Sequence, residues 1–250
     1  MFFFTLLGII SGMDRLATGA RKLGVHLTAG QLDAFDLYRR ELQEWNRRMN
    51  LTAIDDDKGI QIRHFLDALS CLMAFRSHPM AETRLIDVGT GAGFPGLPLK
   101  IVCSDLQLTL LEATEKKVRF LKHLCERLEL DNVTVLHGRA EELGQDPSHR
   151  EQYDWALARA VAEMPILCEY LLPLVRVGGT CLAQKGENAP AEVGQAERAL
   201  TLLGGRLARL LPVELHGLAE TRYLVLVEKM APTPVKYPRR TGVPSKRPLR

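Results

Sequence analysis

The stretch that most constrains the fold of this chain is residues 84–100, RLIDVGTGAGFPGLPLK. Leu85, Ile86 and Val88 form a short apolar run that is typical of a buried parallel strand. Several glycines follow the run, and glycine permits positive φ angles and lets a ligand approach the backbone closely. The stretch therefore predicts a strand, a glycine loop and a helix N-terminus, which together form the first βα turn of a nucleotide-type binding site.

Strand-like and helix-like patterns alternate from residue 79 onwards. Short apolar runs predict strands at residues 85–88, 106–112, 133–137, 155–158, 180–184, 206–215 and 223–227. Stretches between most of them predict helices at residues 96–103, 116–129, 163–174 and 190–203. This alternation favours an α/β fold with a doubly wound, mostly parallel, seven-stranded sheet. Because no helix separates the last two strands, they should pair antiparallel, which is the layout of Rossmann-like class I methyltransferases.

A helical segment precedes this pattern and a basic segment follows it. Thr28 is the predicted N-cap of the first long helix, with Gln31 as its capping-box partner. We divide the chain into an N-terminal helical extension at residues 13–78, a central domain at residues 79–230, and a basic, proline-rich arm at residues 231–250 that should be extended. Residues 1–12 fit none of these segments, and we interpret them as the result of an upstream start codon, with Met13 as the functional start.

The cysteines and the N-terminal sequence indicate the cellular compartment of the protein. The five cysteines are scattered and include no Cys-x-x-Cys pair, which favours reduced thiols in the cytoplasm over disulfides or a zinc site. The N-terminal run MFFFTLLGII is too short to cross a bilayer, and no positive region precedes it. We therefore expect a cytoplasmic monomer with no membrane segment and no bound metal ion.

Charge is unevenly distributed along the chain. The net charge is +3, but the segment from Lys229 to the C-terminus has seven Lys or Arg residues and no Asp or Glu, so the rest of the chain is mildly acidic. A basic tail on an acidic body indicates a polyanionic partner such as a nucleic acid. A tail that only improves solubility is the alternative interpretation.

Two cofactors fit the glycine loop on its pattern alone. Residues 91–96 match GxGxxG and Glu112 ends the next predicted strand, so a dinucleotide-dependent dehydrogenase is one possibility. Asp87, two residues before Gly89, is poorly placed beside a pyrophosphate but suits the cationic amino-acid end of S-adenosylmethionine. Pro95 removes a backbone N–H that a phosphate would bind. Asp87 and Pro95 together favour S-adenosylmethionine.

Further candidate residues follow the ends of other predicted strands. Glu112 could accept hydrogen bonds from the two ribose hydroxyls of either cofactor. Ala140 and Glu141 follow the third strand, where their backbone could bind an adenine ring, although acidic residues are also common in a first helical turn. Arg159 ends the fourth strand and should point into the ligand crevice. Lys185 follows the fifth strand, where an RNA phosphate contact and a solvated loop lysine are equally good interpretations.

Several segments together resemble one known family. They are NLTAI at residues 50–54, RHFLDAL at 63–69, the glycine loop at 87–98, EATEKKVRFL at 112–121, Arg159-Ala160, Lys185-Gly186 and YPRRTGVPSK at 237–246. From about Met13 to the C-terminus, the chain is similar to the RsmG (GidB) family of bacterial 16S ribosomal RNA guanine-N7 methyltransferases. It departs mildly from the family pattern at Ala68, where serine is common.

The resemblance implies methyl transfer from S-adenosylmethionine to N7 of one guanine in 16S ribosomal RNA, either free or in the small ribosomal subunit. The cofactor contacts that the loop pattern and the resemblance assign are Asp87, Gly89, Gly91, Phe94, Glu112, Ala113, Thr114, Ala140, Glu141 and Arg159. Guanine N7 carries a lone pair and no proton, so positioning should suffice and no catalytic general base is expected. In agreement, no (Asp/Asn)-Pro-Pro-(Tyr/Phe) motif follows the fourth strand.

Basic residues are the candidates for contacts with RNA phosphates. They are Lys185, Arg239, Arg240, Lys246 and Arg247. His64 and Asp67 lie one helical turn apart and could face the same crevice, either as a structural pair or in a substrate role. An NAD-dependent oxidoreductase and a non-catalytic RNA-binding protein with the same fold are the alternative functions.

Overall fold

A seven-stranded sheet organises residues 12–75 and 82–250, which are the residues that this computed structural model describes. The strands are β1 (Arg84–Val88), β2 (Gln107–Glu112), β3 (Val133–His137), β4 (Tyr153–Arg159), β5 (Val175–Lys185), β6 (Gly205–Val213) and β7 (Arg222–Lys229). Strands β1 to β5 run parallel, whereas β7 pairs antiparallel with both β5 and β6. The predicted α/β fold and its antiparallel last pair are confirmed.

The order of the strands fixes where a ligand can bind. Across the sheet the order is β3-β2-β1-β4-β5-β7-β6, so the chain reverses its direction of travel between β1 and β4. Open α/β sheets bind ligands at such a point, outside the carboxyl ends of the strands. The glycine loop follows β1 directly, and it therefore lies at this point.

Helices cover both faces of the sheet. Those before the sheet are α1 (Asp14–Lys22), α2 (Ala29–Met49), α3 (Asp57–Gly59), α4 (Asp67–Leu69) and α5 (Leu72–Phe75). Those that follow are α6 (Gly96–Val102), α7 (Glu115–Arg127), α8 (Ala140–Leu143), α9 (Met164–Leu171), α10 (Ala189–Gly194), α11 (Glu197–Leu203) and α12 (Val243–Lys246). Helix α2 begins at the predicted capping box of Thr28 and Gln31. No helix in the described ranges is both long enough and apolar enough to span a membrane.

The helical segment that begins at Asp57 is not one continuous α-helix. A π-helical segment, Ile60–Leu66, lies between α3 and α4, and a turn at Ser70 and Cys71 precedes α5. The Ser70 hydroxyl donates a hydrogen bond of 2.6 Å to the carbonyl oxygen of Asp67. π-Helical turns are frequent at functional sites, and here one contains His64 and is followed directly by Asp67.

The N-terminal helices and the sheet share a hydrophobic core. Phe35, Tyr38 and Phe65 belong to the same buried cluster as Leu97 and Leu110 of the central domain. A second cluster on the other face of the sheet includes residues of β4, α9 and α11. The predicted boundary at residues 78 and 79 lies outside the described residues, as do residues 1–11 of the segment assigned to an upstream start.

The C-terminal arm packs against the central domain, whereas the sequence suggested an extended segment. Arg150 donates hydrogen bonds to the carbonyl oxygens of Thr233 (2.6 Å) and Tyr237 (2.7 Å). Thr233 and Tyr237 are themselves buried. These contacts satisfy main-chain carbonyls that an extended arm would leave to water, so the arm follows the surface of the domain and ends in α12.

Candidate active site

A first crevice lies over the carboxyl ends of β1, β2 and β3. Its volume is about 270 Å³. The residues that line it come from the strand ends, the segment after β4 and the arm: Val88, Gly89, Leu111, Ala113, Gly138, Arg139, Ala140, Glu141, Val161, Ala162, Tyr170 and Ser245. Four of the predicted cofactor-binding residues are in this set, namely Gly89, Ala113, Ala140 and Glu141. The crevice is therefore at the position that the sequence assigned to the cofactor.

Two glycines of the loop adopt a left-handed backbone, and the first of them, Gly89, lines this crevice. Gly89 has φ +68°, and a Cβ atom there would come within 2.8 Å of the Val161 side chain. Gly91 has φ +64°, and a Cβ atom there would meet nothing within 4 Å. A side chain at position 89 would therefore narrow the crevice. At position 91 the left-handed backbone conformation favours glycine.

Asp87 lies beneath the glycine loop and has no exposed surface. One carboxylate oxygen accepts hydrogen bonds from the Gly96 N–H (2.8 Å) and the Thr90 hydroxyl (2.6 Å). Burial raises the pKa of Asp87 to about 6, against the lowering effect of these two hydrogen bonds. In this structure Asp87 therefore holds the two ends of the loop together through one oxygen, while Oδ1 has no hydrogen-bond partner within the described residues. Its contact with the cofactor stays a prediction.

Glu112 is the carboxylate at the end of β2. It accepts hydrogen bonds from the N–H groups of Gly91 (3.0 Å) and Thr114 (2.8 Å), one on each carboxylate oxygen. Each oxygen retains a further lone pair. Glu112 thus joins the glycine loop to the segment that contains Ala113 and Thr114, and it can still accept two more hydrogen bonds.

A second crevice, with a volume of about 190 Å³, opens beyond β4 and β5. The residues that line it are Ile54, Arg63, His64, Asp67, Arg159, Gln184, Lys185, Gly186 and Arg222. Residues Arg159 to Ala162 separate it from the first crevice, because Arg159 lines the second and Val161 and Ala162 line the first. Ala160 between them has φ +56°, a strained conformation for a non-glycine residue that is often found at functional sites.

Arg159 holds the second crevice together. Its guanidinium forms an ion pair of 3.0 Å with Asp67 and donates a 3.1 Å hydrogen bond to the carbonyl oxygen of Arg63. It also lies over the ring of Phe94, 4.9 Å from the centroid. His64 and Asp67 therefore face the same crevice, and the structure explains Asp67 as the ionic partner of Arg159.

His64 is a neutral imidazole in this arrangement. It is stacked on Phe94 with the ring centroids 4.5 Å apart. Burial, and then the charge of Arg159, lower the pKa of His64 to about 3. Arg159 can only donate to His64 Nδ1 (3.4 Å), so the proton is on Nε2, which lies 2.9 Å from the Thr52 hydroxyl. Thr52, in the NLTAI segment at residues 50–54, thus fixes the orientation of this histidine.

Comparison with known proteins identifies the family. The family model described as "GidB: rRNA small subunit methyltransferase G" matches residues 31–216. The Ribosomal RNA small subunit methyltransferase G of Roseiflexus sp. is 50% identical over 237 residues, which cover 95% of this chain and 100% of that protein. The protein of the same name from Alkaliphilus metalliredigens is 45% identical over 94% of this chain and 98% of its own length. The chain belongs to the GidB family.

Solved structures agree with the fold of this GidB family member. TrmN from Thermus thermophilus gives a TM-score of 0.51 at 19% identity, over 68% of this chain and 53% of its own. M. jannaschii TYW2 in complex with AdoMet gives a TM-score of 0.50 at 14% identity, over 64% of this chain and 74% of its own. Family membership and the shared fold confirm the prediction of a class I methyltransferase, and they disfavour the alternative of an NAD-dependent oxidoreductase.

Two of the predicted RNA-binding residues have their charges engaged within this GidB protein. Lys185 forms a 2.6 Å ion pair with Glu192 and donates to the carbonyl oxygen of Ala162 (2.8 Å). Arg239 forms a 2.6 Å ion pair with Glu169, whose side chain has no exposed surface. By contrast, Arg240, Lys246 and Arg247 are exposed on the arm. The exposed residues are therefore the better candidates for phosphate contacts.

Sequence reasoning missed several residues that line the two crevices. Gln184 is the penultimate residue of β5 and is paired with Arg159 at the end of β4, and this position could have been recognised from the strand prediction. Arg222 begins β7, and its position follows only from the antiparallel pairing of that strand. Ser245 and Tyr170 reach the first crevice from the arm and from α9, and no local sequence pattern indicates this.

Proposed function

We propose that this protein transfers a methyl group from S-adenosylmethionine to N7 of one guanine in 16S ribosomal RNA, acting as a monomer in the cytoplasm. The observation that carries the proposal is the pair of adjacent crevices separated by residues 159–162. One crevice lies at the switch point where α/β sheets bind nucleotides. The other is polar and lined by charged residues. Membership of the GidB family supports an RNA of the small ribosomal subunit as the substrate.

The residues around the first crevice fit S-adenosylmethionine. The two remaining acceptor positions of Glu112 suit the ribose hydroxyls, and Ala140 and Glu141 line the crevice where an adenine ring would lie. Gly89 and Gly91 leave room for the amino-acid end beside the loop. When bound, the cofactor supplies a methyl group on a sulfonium that is a good leaving group.

The contribution of the protein to catalysis is positioning. Guanine N7 has a lone pair and needs no base, so an aligned approach to the methyl carbon lowers the entropic part of the barrier. His64 remains uncharged at neutral pH, and Asp67 balances the charge of Arg159. His64 and the Arg159–Asp67 ion pair therefore add no net positive charge beside the purine, which gains one on methylation. Cys168 is unsuited to nucleophilic attack, since burial raises the pKa of its thiol to about 12.

A methyl-transfer assay tests this proposal. Purified protein is incubated with tritiated S-adenosylmethionine and 16S RNA, or small subunits, from a strain that lacks this methylation. We expect label on a single guanine and sensitivity of that base to cleavage chemistry specific for 7-methylguanine. Calorimetric titrations with S-adenosylmethionine and NAD form the control. RNA binding without label transfer would favour the non-catalytic alternative, and tight NAD binding would contradict the proposal.

The arm is expected to contribute affinity for RNA without sequence selectivity. Replacing Arg240, Lys246 and Arg247 by glutamine should weaken RNA binding and reduce the slope of log K against log salt by about 2 to 3, because each phosphate contact releases a condensed counterion. Cofactor affinity should not change. A control variant replaces two exposed arginines, Arg206 and Arg209, on the edge strand β6. It is compared with the arm variant Arg240→Gln/Arg247→Gln, so that both variants lose the same charge. Equal salt slopes for the two variants would exclude the arm from RNA binding.

A further inference from the structure

The second crevice contains three buried polar atoms that have no hydrogen-bond partner within the described parts of the chain. They are Asp67 Oδ1, Gln184 Oε1 and Arg222 Nε. The side chain of Asp67 is only 6% exposed, and Gln184 is likewise 6% exposed. Buried polar groups without partners cost free energy and are rare in folded proteins. Three of them around one crevice indicate that the crevice receives a polar ligand.

The protein fixes the direction of each of these groups. Asp67 uses its other oxygen for the ion pair with Arg159. Gln184 donates from Nε2 to the carbonyl oxygen of Asp67 (2.7 Å) and to the Ser70 hydroxyl (3.3 Å), so its amide cannot turn over and Oε1 remains an acceptor. Arg222 Nε is 3.8 Å from Asp67 Oδ1, too far for a hydrogen bond. The set therefore consists of one donor and two acceptors, with Asp67 adjacent to both other groups.

This set is complementary to one edge of guanine. The Watson–Crick edge of guanine presents one acceptor, O6, followed by two donors, N1–H and the N2 amine. Adenine presents a donor and an acceptor at the corresponding first two positions, so it would face Arg222 and Asp67 with the wrong polarity. Enzymes that modify a base commonly bind the extruded base by its Watson–Crick edge.

We propose that the second crevice binds the target guanine by its Watson–Crick edge, with Arg222 Nε donating to O6, Asp67 Oδ1 accepting from N1–H and Gln184 Oε1 accepting from the N2 amine. This inference rests on the proposed function and adds the residues that select the base. N7 lies on the opposite edge of a purine ring from N2, so this mode of binding leaves N7 free. Ile54 supplies an apolar surface in the same crevice.

The test combines a change in the enzyme with a change in the base. The methylated guanine is replaced by inosine, which keeps O6, N1–H and N7 but lacks the N2 amine. Initial rates give kcat/KM for both RNAs. With the wild-type protein, we expect inosine to reduce kcat/KM by about 5- to 100-fold, the range for leaving one buried hydrogen-bond acceptor unsatisfied. In the variant Gln184→Met, kcat/KM for the guanine RNA should fall by a similar factor. Its kcat/KM for the inosine RNA should be no lower than for the guanine RNA.

The combination separates recognition of the base from a general structural effect. If Gln184→Met only weakened the fold, its loss would multiply the loss caused by inosine, and that result would overturn the proposal. The matched control is Gln152→Met, an exposed residue just before β4, at the opposite edge of the sheet, which should preserve the wild-type discrimination. If Gln184→Met does not fold, the test rests on the wild-type protein alone. Equal values of kcat/KM for the guanine and inosine RNAs would then overturn the proposal. Absence of any transfer to the guanine RNA would instead contradict the proposed function.

Discussion

Replacing Arg159 by alanine is expected to lower the free energy of unfolding by about 3 to 5 kcal/mol and to abolish methyl transfer. The reason is that Asp67, 6% exposed in its side chain, would keep a buried negative charge whose remaining ion-pair partner is Arg222 Nε, 3.8 Å from Asp67 Oδ1 and too far for a hydrogen bond. Removing one partner of a buried ion pair typically costs this much, because the remaining charge is left without compensation. The loss should be partly recovered in the double variant Arg159→Ala/Asp67→Asn.

Urea denaturation measures this effect, and an exposed ion pair provides the control. Arg206 and Glu228 are 64% and 43% exposed in their side chains and lie 2.8 Å apart, so Arg206→Ala should cost less than about 1 kcal/mol. If Arg159→Ala proved as mild as Arg206→Ala, the assignment of Arg159 as the residue that holds the second crevice together would be wrong.

The second large effect concerns Asp87. The variant Asp87→Ala leaves the Gly96 N–H and the Thr90 hydroxyl without an acceptor, which should cost about 1 to 3 kcal/mol of stability for each orphaned donor. Affinity for S-adenosylmethionine should also fall by about 1 kcal/mol or more, because the loop loses the carboxylate that fixes it. In Asp87→Asn, the side-chain oxygen can still accept both bonds, so most of the stability should remain.

Comparing the two variants also separates the effect of the negative charge of Asp87 from the effect of its hydrogen bonds. The pKa of Asp87 rises from 3.8 to about 6 on folding, so between these values the folded chain binds more protons than the unfolded chain. Its contribution to stability is therefore complete below about pH 4 and is lost as the pH rises to about 6. His64 changes stability in the opposite direction, because its pKa falls from 6.5 to about 3 on folding.

The informative measurement is the difference in unfolding free energy between wild type and Asp87→Asn from pH 4 to pH 7. The contribution of His64 cancels in this difference. We expect the wild-type protein to become less stable relative to the variant as the pH rises. A difference that does not change with pH would show that Asp87 has an ordinary pKa, and unaltered cofactor affinity in Asp87→Ala would remove it from the binding site altogether.

Local patterns in the sequence were sufficient for the strands of the sheet and for helix α2, although not for the packing of the C-terminal arm. The apolar run before Gly89, the capping box of Thr28 and the strand–helix alternation each depend on neighbouring residues, and each prediction is confirmed by the structure. Positions at the ends of predicted strands also gave the residues at the carboxyl edge of the sheet, because parallel strands end at a common edge.

Contacts between distant residues limited the prediction of the site. Asp87 could be placed in the loop region from sequence, but the direction of its carboxylate depends on Gly96, nine residues away. The charges of Lys185 and Arg239 could not be assigned to Glu192 and Glu169 by any local rule. For the same reason no local pattern shows that Asp67, Gln184 and Arg222 share one crevice, since they come from three separate elements.

The packing of the arm has a practical consequence for work with this protein. Gly242 donates its N–H to Glu141 (2.9 Å), Ser245 lines the first crevice, and Arg250 contacts Glu163 (2.5 Å). Through Ser245, the arm therefore forms part of the lining of the first crevice. A tag fused after Arg250 that pulled the arm from its contacts would remove this part of the lining, so purification handles and fluorescent labels are better placed away from the C-terminus.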